Sequence, residues 1–471
     1  MKMRNSERFM HGKTVALALA LSAFLFNACD KGIDADETFV SEVTNSTLQS
    51  PKAEDVSLAL TPDGGTLIVN WAVVHGAGGY EFTLYNVDDP ANPKVVGEAN
   101  EVVDGCRITR SIESDTKYQV SIRTLGNEKY NNKEAAEPLK MDYSTLAPTD
   151  VTIEAGCDIN AWLAANPIPS EKLGQEYTID LVEGQEYTVS DIIDFANQQV
   201  TIRGNKVSHA KIKMVGEASF LTNNGFKLKF VDVDCSGFEG ETFFGTSKTA
   251  DPASQLSTGE FLVANPIMLQ GCNITDMKNY LFYDKNSVKY CIDYLGFMDC
   301  NIQIAQNSEI VRAAKSTIIR MDVVNSTIWS TVQAGKFFMQ ISGQRPNKIA
   351  GHTGAEFNFK NTTFYNLAYN KDFVNWNNYR GQSCVQLNFY NTIFADCGRG
   401  DITNKMQGNA NMKHDYQNNA YWYNGAGKDR YDTGALFEDP QFVNPAEGNF
   451  TPGNPNYIAK SLGDSRWLSD K

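Results

Sequence analysis

Beyond position 150 the apolar residues come in short bursts, not in helical arcs. Tyr177-Thr178-Ile179-Asp180-Leu181, Tyr187-Thr188-Val189 and Gln199-Val200-Thr201-Ile202-Arg203 run for three to five residues and then break at glycine, asparagine or a polar pair. Alternation over such lengths predicts strands, and long 3.6-residue patterns are scarce. A short phrase then recurs, in which polar or small residues precede Ile or Phe. It reads Asp234-Cys235, Gly271-Cys272-Asn273-Ile274, Asp299-Cys300-Asn301-Ile302, Asn325-Ser326-Thr327-Ile328, Asn361-Thr362-Thr363-Phe364 and Asn391-Thr392-Ile393-Phe394, at separations of 37, 28, 26, 36 and 30 residues. A loose period of this size with short strands predicts a solenoid whose insertions fall on loops.

A parallel β-helix accounts for the residue choices. Each coil would set the same position above its predecessor, so that Asn and Thr stack along the axis while Ile, Phe and Cys fill the interior. The end coils need caps, and the stretch from Asn160 to Leu173, with Trp162 and Leu163, is a candidate for the first. The closing phrases Phe437-Glu438-Asp439-Pro440-Gln441-Phe442-Val443-Asn444, Gly448-Asn449-Phe450 and Ser461-Leu462-Gly463-Asp464-Ser465-Arg466-Trp467, with the Val200-Thr201-Ile202-Arg203-Gly204 opening, resemble the right-handed β-helices of the pectin-lyase-like superfamily. This resemblance covers 150–471.

Residues 51–147 follow a different pattern. Thr66-Leu67-Ile68-Val69-Asn70-Trp71, Tyr80-Glu81-Phe82-Thr83-Leu84-Tyr85 and Lys117-Tyr118-Gln119-Val120-Ser121-Ile122 alternate between Gly-rich or polar turns, which predicts a small antiparallel sandwich. Trp71 and Tyr118 stand where a fibronectin type III-like domain places a buried tryptophan and a corner tyrosine, although the usual leucine-proline lead-in is replaced by Ile112-Glu113-Ser114-Asp115-Thr116. The fold expected for the whole chain is therefore all-β, a fibronectin type III-like sandwich followed by a right-handed parallel β-helix. This layout is similar to lipoproteins of uncharacterised domain families associated with glycan-utilisation systems.

The N-terminus adds an address. Lys2, Arg4, Arg8 and Lys13 precede an apolar run from Thr14 to Phe26 that is shorter than the roughly 18–20 residues of a membrane span. Phe26-Asn27-Ala28-Cys29 resembles the lipobox of bacterial lipoproteins, which implies a signal peptide over 1–28 and lipidation of Cys29. Residues 29–50 read as a flexible tether, with Asp30, Asp34, Asp36 and Glu37 next to the lipid. Acidic residues there resemble the surface-export signal of Gram-negative bacteria that import glycans, which implies an outer-membrane protein facing the exterior and an outer-membrane glycan importer as partner.

A formal charge of −14 over 471 residues opposes nucleic acid as a partner. Eight cysteines lie beyond Cys29, none with C-x-x-C spacing, so zinc and dithiol chemistry have little support and mostly free, buried thiols are expected. No GxSxG, HExxH or phosphate-binding loop is present, and the five histidines do not outline a nucleophile system. A lyase of uronic-acid polymers would need a base and a positive charge, for which Arg380 and Arg399 are candidates among the basic residues of the middle coils, with Asp232 and Asp234 to hold Ca²⁺. Glycan contact points to aromatic rings interleaved with Asn: Tyr365, Tyr369, Trp376 and Tyr379 in one stretch, and Trp422 in another. Three functions remain open on this reading. They are non-catalytic binding of a polysaccharide, with pectic glycans first to test; a polysaccharide lyase or glycoside hydrolase; and structural display.

Overall fold

The computed structural model describes residues 42–285 and 287–468, so Cys29 and the signal peptide expected over 1–28 lie outside the described residues. Among the described residues the chain is all-β and divides between Leu146 and Ala147 into two units.

The first unit is antiparallel. Val56–Leu60, Thr66–Trp71 and Arg107–Ser111 form one sheet, and Lys94–Val103, Tyr80–Asn86, Lys117–Thr124 and Leu139–Ser144 form the other. Alternate residues point inward, so Leu67, Val69, Trp71, Phe82, Leu84, Val120 and Ile122 are buried together. Trp71 meets Tyr80 edge-on at 5.3 Å. The Tyr118 hydroxyl is fixed at the corner before its strand, accepting the Glu113 N–H at 2.7 Å. The expected tether is shorter than 29–50. Leu48 is buried, its N–H donates to the Lys133 carbonyl at 2.9 Å, and the Asn45 N–H donates to the Tyr130 carbonyl at 3.0 Å, so this segment belongs to the sandwich. Backbone pairing with residues 130–133 and the burial of Leu48 dock it.

The second unit is a parallel β-helix. Its coils cross a ten-stranded sheet, then a nine-stranded one, then a seven-stranded one, all parallel among the described residues, and three coils add a strand to a small sheet of Phe261–Val263, Tyr290–Ile292 and Thr317–Ile318. Register keeps like on like. Phe297, Val323, Phe359 and Phe389 stack in the ten-stranded wall, and Ile302, Ile328, Phe364, Phe394 and Tyr421 in the nine-stranded one. Successive rings lie nearly flat on one another, with Phe359 and Phe389 5.2 Å apart and Phe394 and Tyr421 5.3 Å apart. Each such buried side chain contributes roughly 1.5–3 kcal/mol of transfer free energy. At the first end, Ile159–Ala165 is a short helix capped by the Asp158 carboxylate, and it seats Ile159 in the core with Trp162 and Leu163 against it.

The recurring phrase is the turn between the ten- and nine-stranded walls. Its first residue is left-handed in successive coils: Gly271 (φ 60°), Asp299 (55°), Asn325 (47°), Asn361 (48°), Asn391 (51°) and Asn418 (54°). Gly, Asn and Asp tolerate that region best. The amides also stack: Asn361 donates to Asn325 at 3.0 Å, Asn391 to Asn361 at 2.8 Å and Asn418 to Asn391 at 2.7 Å. The next residue points inward and must be small with a donor, which Cys272, Cys300, Ser326, Thr362 and Thr392 supply to nearby carbonyls. Asp234-Cys235 is not part of this series. The equivalent turn residue there is Phe230 (φ 54°), and a Cβ on Gly271 would come within 2.5 Å of its ring.

The closing phrases cross the outer face of the nine-stranded wall. Phe450 packs on Trp329 and Tyr365, each at 5.4 Å, and the Trp467 indole donates to the Thr327 hydroxyl at 2.7 Å. Asp464 is buried there, accepting from Thr327 at 2.8 Å, and burial pushes its carboxyl up to about 6 against the pull of Arg466. In the unfolded chain this group titrates near the ordinary aspartate value of 3.8. The folded state therefore takes up a proton first, and its stability should rise as pH falls from 7 through 6. Thermal unfolding at pH 7 and pH 5 should show this gain, and Asp464→Asn should remove its share, leaving that of the other buried aspartates with raised pKa values, Asp284, Asp429 and Asp432.

Candidate functional site

The five rings expected to contact glycan do not form a surface. Trp376 and Tyr379 are fully buried, stacked on each other at 5.7 Å, with the indole donating to the Met406 carbonyl at 3.0 Å and the phenol paired with the Ile318 backbone at 3.0 Å. The segment that reads as a polar insert after Phe364 is the third wall of its coil, where Val374–Asn375 joins the seven-stranded sheet. A two-residue strand carries too little alternation to be seen. Tyr365 lies under Phe442 and Phe450. Tyr369 packs on Tyr423 at 5.1 Å and Trp422 is half-buried in the last strand of the nine-stranded wall.

The other candidates have structural partners. Arg399 donates to the Asn370 carbonyl through two nitrogens, at 3.1 and 3.0 Å, and Arg380 to the Asn404 carbonyl at 3.3 Å, so each clamps a loop. Asp232 and Asp234 do share an outer face, but their rung neighbours are Lys211 and Lys213. Asp232 also accepts from Asn273 at 2.7 Å and meets His209 Nδ1 at 2.9 Å, while Asp234 caps the Ser236 N–H at 2.8 Å. Neither aspartate joins a metal-type cluster among the described residues, and each already spends a carboxylate oxygen on partners of the protein.

A different surface has the features of a site. On the seven-stranded wall, Ile193, Phe220, Phe244, Phe282, Val311, Met339 and Val374 stack inward. The outward column is Asp194, Leu221, Gly245, Tyr283, Arg312, Gln340 and Asn375. Gly245 interrupts it. A Cβ there would come within 2.3 Å of the Tyr283 carbonyl, so no larger residue fits, and a notch lies nearby against Leu221 and Tyr283. The notch opens a cavity of about 350 Å³ whose floor includes Ile192, Leu221 and Tyr283, and whose rim carries Glu217, Glu241, Lys248 and Lys285.

Tyr283 is held from one side. Arg312 lies over its ring at 5.2 Å and over that of Tyr280 at 5.8 Å, and the two tyrosines sit 4.6 Å apart. Arg312 Nη1 also donates to the Tyr280 hydroxyl at 2.9 Å and faces Glu309 at 3.4 Å. Burial raises the Tyr283 pKa, and the nearby guanidinium only partly offsets it. This phenol is suited to hydrogen bonding and ring contact, and poorly suited to taking a proton. Lys285 is paired with Glu241, which raises the Lys285 pKa. The sequence contains the signal in retrospect: tyrosines bracketing the buried pair Leu281-Phe282, one coil after a glycine in an apolar run.

Models of three families of unknown function match the chain in succession, one over residues 3–185 (DUF4992), one over 185–331 (DUF4957) and one over 357–467 (DUF5123). No curated protein matches it. Among solved structures it is similar to a mutant of the PL6 family alginate lyase AlyGC, at 16% identity and a TM-score of 0.38 over 59% of this chain, and it spans 39% of the length of that protein.

Proposed function

We propose that this chain is a lipid-anchored outer-membrane protein of the cell exterior that captures a polysaccharide in the notch of the seven-stranded wall. The observation that carries this reading is the notch itself, a cavity of about 350 Å³ with an apolar ring-bearing floor and a charged rim. Sugar rings present C–H faces to aromatic and aliphatic side chains while their hydroxyls and carboxylates pair with charged groups, and this volume lies in the range of small-ligand sites. The anchor rests on the resemblance around Cys29, and the sandwich serves as a fibronectin type III-like spacer. An outer-membrane glycan importer is the partner this arrangement would feed.

The test is affinity electrophoresis of the soluble form beginning after Cys29, in gels containing pectic, other uronate-bearing or neutral polysaccharides. At least one glycan should retard the protein, and Tyr283→Ala should weaken that retardation about 5- to 20-fold, as expected for removal of one ring contact. Arg312→Ala should weaken it less and reduce its dependence on salt. Retardation unchanged in both variants would exclude the notch. Release of unsaturated or new reducing ends during incubation would replace binding with a lyase or hydrolase.

A further inference from the structure

A second cluster lies on the outer face of the small three-stranded sheet, and its chemistry is independent of the glycan reading. Cys291 is the middle residue of Tyr290–Ile292, and Asp293 is two residues on, so both project to the face opposite the core residues Tyr290 and Ile292. The segment 344–352 covers that face. The Gln344 carbonyl accepts from Thr317, the Ala350 N–H donates to Thr258, and His352 reaches Asp293. Cys291 Sγ, a carboxylate oxygen of Asp293 and a ring nitrogen of His352 lie within 4.8 Å of one another.

The imidazole shows what this cluster is built for. His352 Nδ1 is 3.0 Å from the Ala350 carbonyl, which can only accept, so Nδ1 carries a proton. In a neutral ring Nε2 is then a bare lone pair, yet it sits 2.8 Å from Asp293 Oδ1. Two acceptors that close require a positive charge between them, either a proton or a metal ion. An Nδ1–H held by a carbonyl is also how metal-bound histidines are oriented. A second, independent observation points to the same place. Glu260 is 6% exposed and its Oε2 has no hydrogen-bond partner. Glu260 immediately precedes Phe261, which pairs with Tyr290, so its side chain falls on the face that carries Cys291 and Asp293. Its charge is felt at the Cys291 thiol. A buried carboxylate oxygen without a partner is costly unless something cationic meets it.

We propose that Cys291, Asp293 and His352 bind Zn²⁺, with solvent in the fourth position and the buried Glu260 carboxylate adding negative charge nearby. One thiolate, one imidazole nitrogen and one carboxylate oxygen are three ligands that Zn²⁺ accepts in a tetrahedral site with an open fourth position, with bonds of about 2.0–2.3 Å that put ligand atoms roughly 3.3–3.8 Å apart. The separations seen are 2.8 Å between Nε2 and Oδ1 and 3.9 Å from Sγ to each ring nitrogen, so as the ion enters Asp293 draws back slightly and Sγ turns toward Nε2. Binding displaces the thiol proton to solvent as the sulfur–metal bond forms. The ion would pin the loop carrying His352 to the flank of the helix.

The test is metal content and Co²⁺ spectroscopy of the full chain in detergent. After equilibration with Zn²⁺ and gel filtration, one equivalent per chain should remain, and Co²⁺ should give a thiolate-to-metal charge-transfer band. Cys291→Ser should abolish that band, and His352→Gln should weaken Zn²⁺ binding at least 100-fold. Asp232→Asn, at the surface pair excluded above, should leave both unchanged. If Cys291→Ser fails to fold, His352→Gln on the covering loop decides. Absence of retained Zn²⁺ in the wild type, or retention undiminished in His352→Gln, would overturn the proposal.

Discussion

Trp376→Ala should unfold this protein more readily by about 3–5 kcal/mol and leave the glycan affinity of the folded molecules unchanged. The expected cost is that of emptying a fully buried aromatic site whose surroundings relax only in part. Trp376 is 1% exposed, meets the Phe357 ring edge-on at 4.8 Å and lies flat on Tyr379. Removing it also leaves the Met406 carbonyl without its indole donor. Denaturant unfolding measures the first effect and affinity electrophoresis of the folded fraction the second. Near-wild-type stability with lost glycan binding would show Trp376 at the surface, contrary to the buried position described here.

Asp284→Ala should be comparably damaging, at roughly 3–5 kcal/mol, for a different reason. The Asp284 side chain is completely buried and accepts three successive backbone N–H groups of the next coil, from Ala314 at 2.5 Å, Lys315 at 2.9 Å and Ser316 at 2.7 Å. Burial raises its pKa while these donors oppose the rise. Alanine would strand three donors, that of Ser316 fully buried and the other two partly so, each costing about 1–3 kcal/mol when cut off from water and less where water can reach it. Asp284→Asn keeps one acceptor oxygen and should lose about half as much. Asp284 directly follows Tyr283, and the turn it holds begins two residues after Arg312. Its loss should therefore also weaken glycan retardation, whereas Trp376→Ala should not. Equal stability of Asp284→Ala and the wild type in urea would contradict the bonding described for this turn.

The β-helix was legible because its turn restricts chemistry so tightly. A left-handed residue followed by a small inward donor admits Asn, Asp or Gly and then Cys, Ser or Thr, so Asn325-Ser326, Asn361-Thr362 and Asn391-Thr392 mark the coils in the sequence. Phe230 occupies the same conformation without that chemistry, and the phrase was misplaced there onto Asp234. The sandwich was legible from its alternation, which buries Leu67, Val69 and Trp71 on one face. Leu48 was missed because the scattered apolar residues ahead of it, Phe39, Val40 and Val43, share no period with it.

The sites were not legible, because register decides which residues meet. Aromatic residues separated by asparagines look the same whether they line a groove or, like Trp376 and Tyr379, fill the third wall of a coil. The notch draws Ile192, Leu221, Thr242 and Tyr283 from successive coils, and the metal cluster joins Cys291, Asp293 and His352 across as many as 61 positions. The sequence by itself determined the local rules: where a strand runs, where the chain must turn left-handed, and which side chain must be small. Only the tertiary structure decided which residues share a rung. In a parallel stack that depends on the length of every intervening loop, and loop lengths here follow no period.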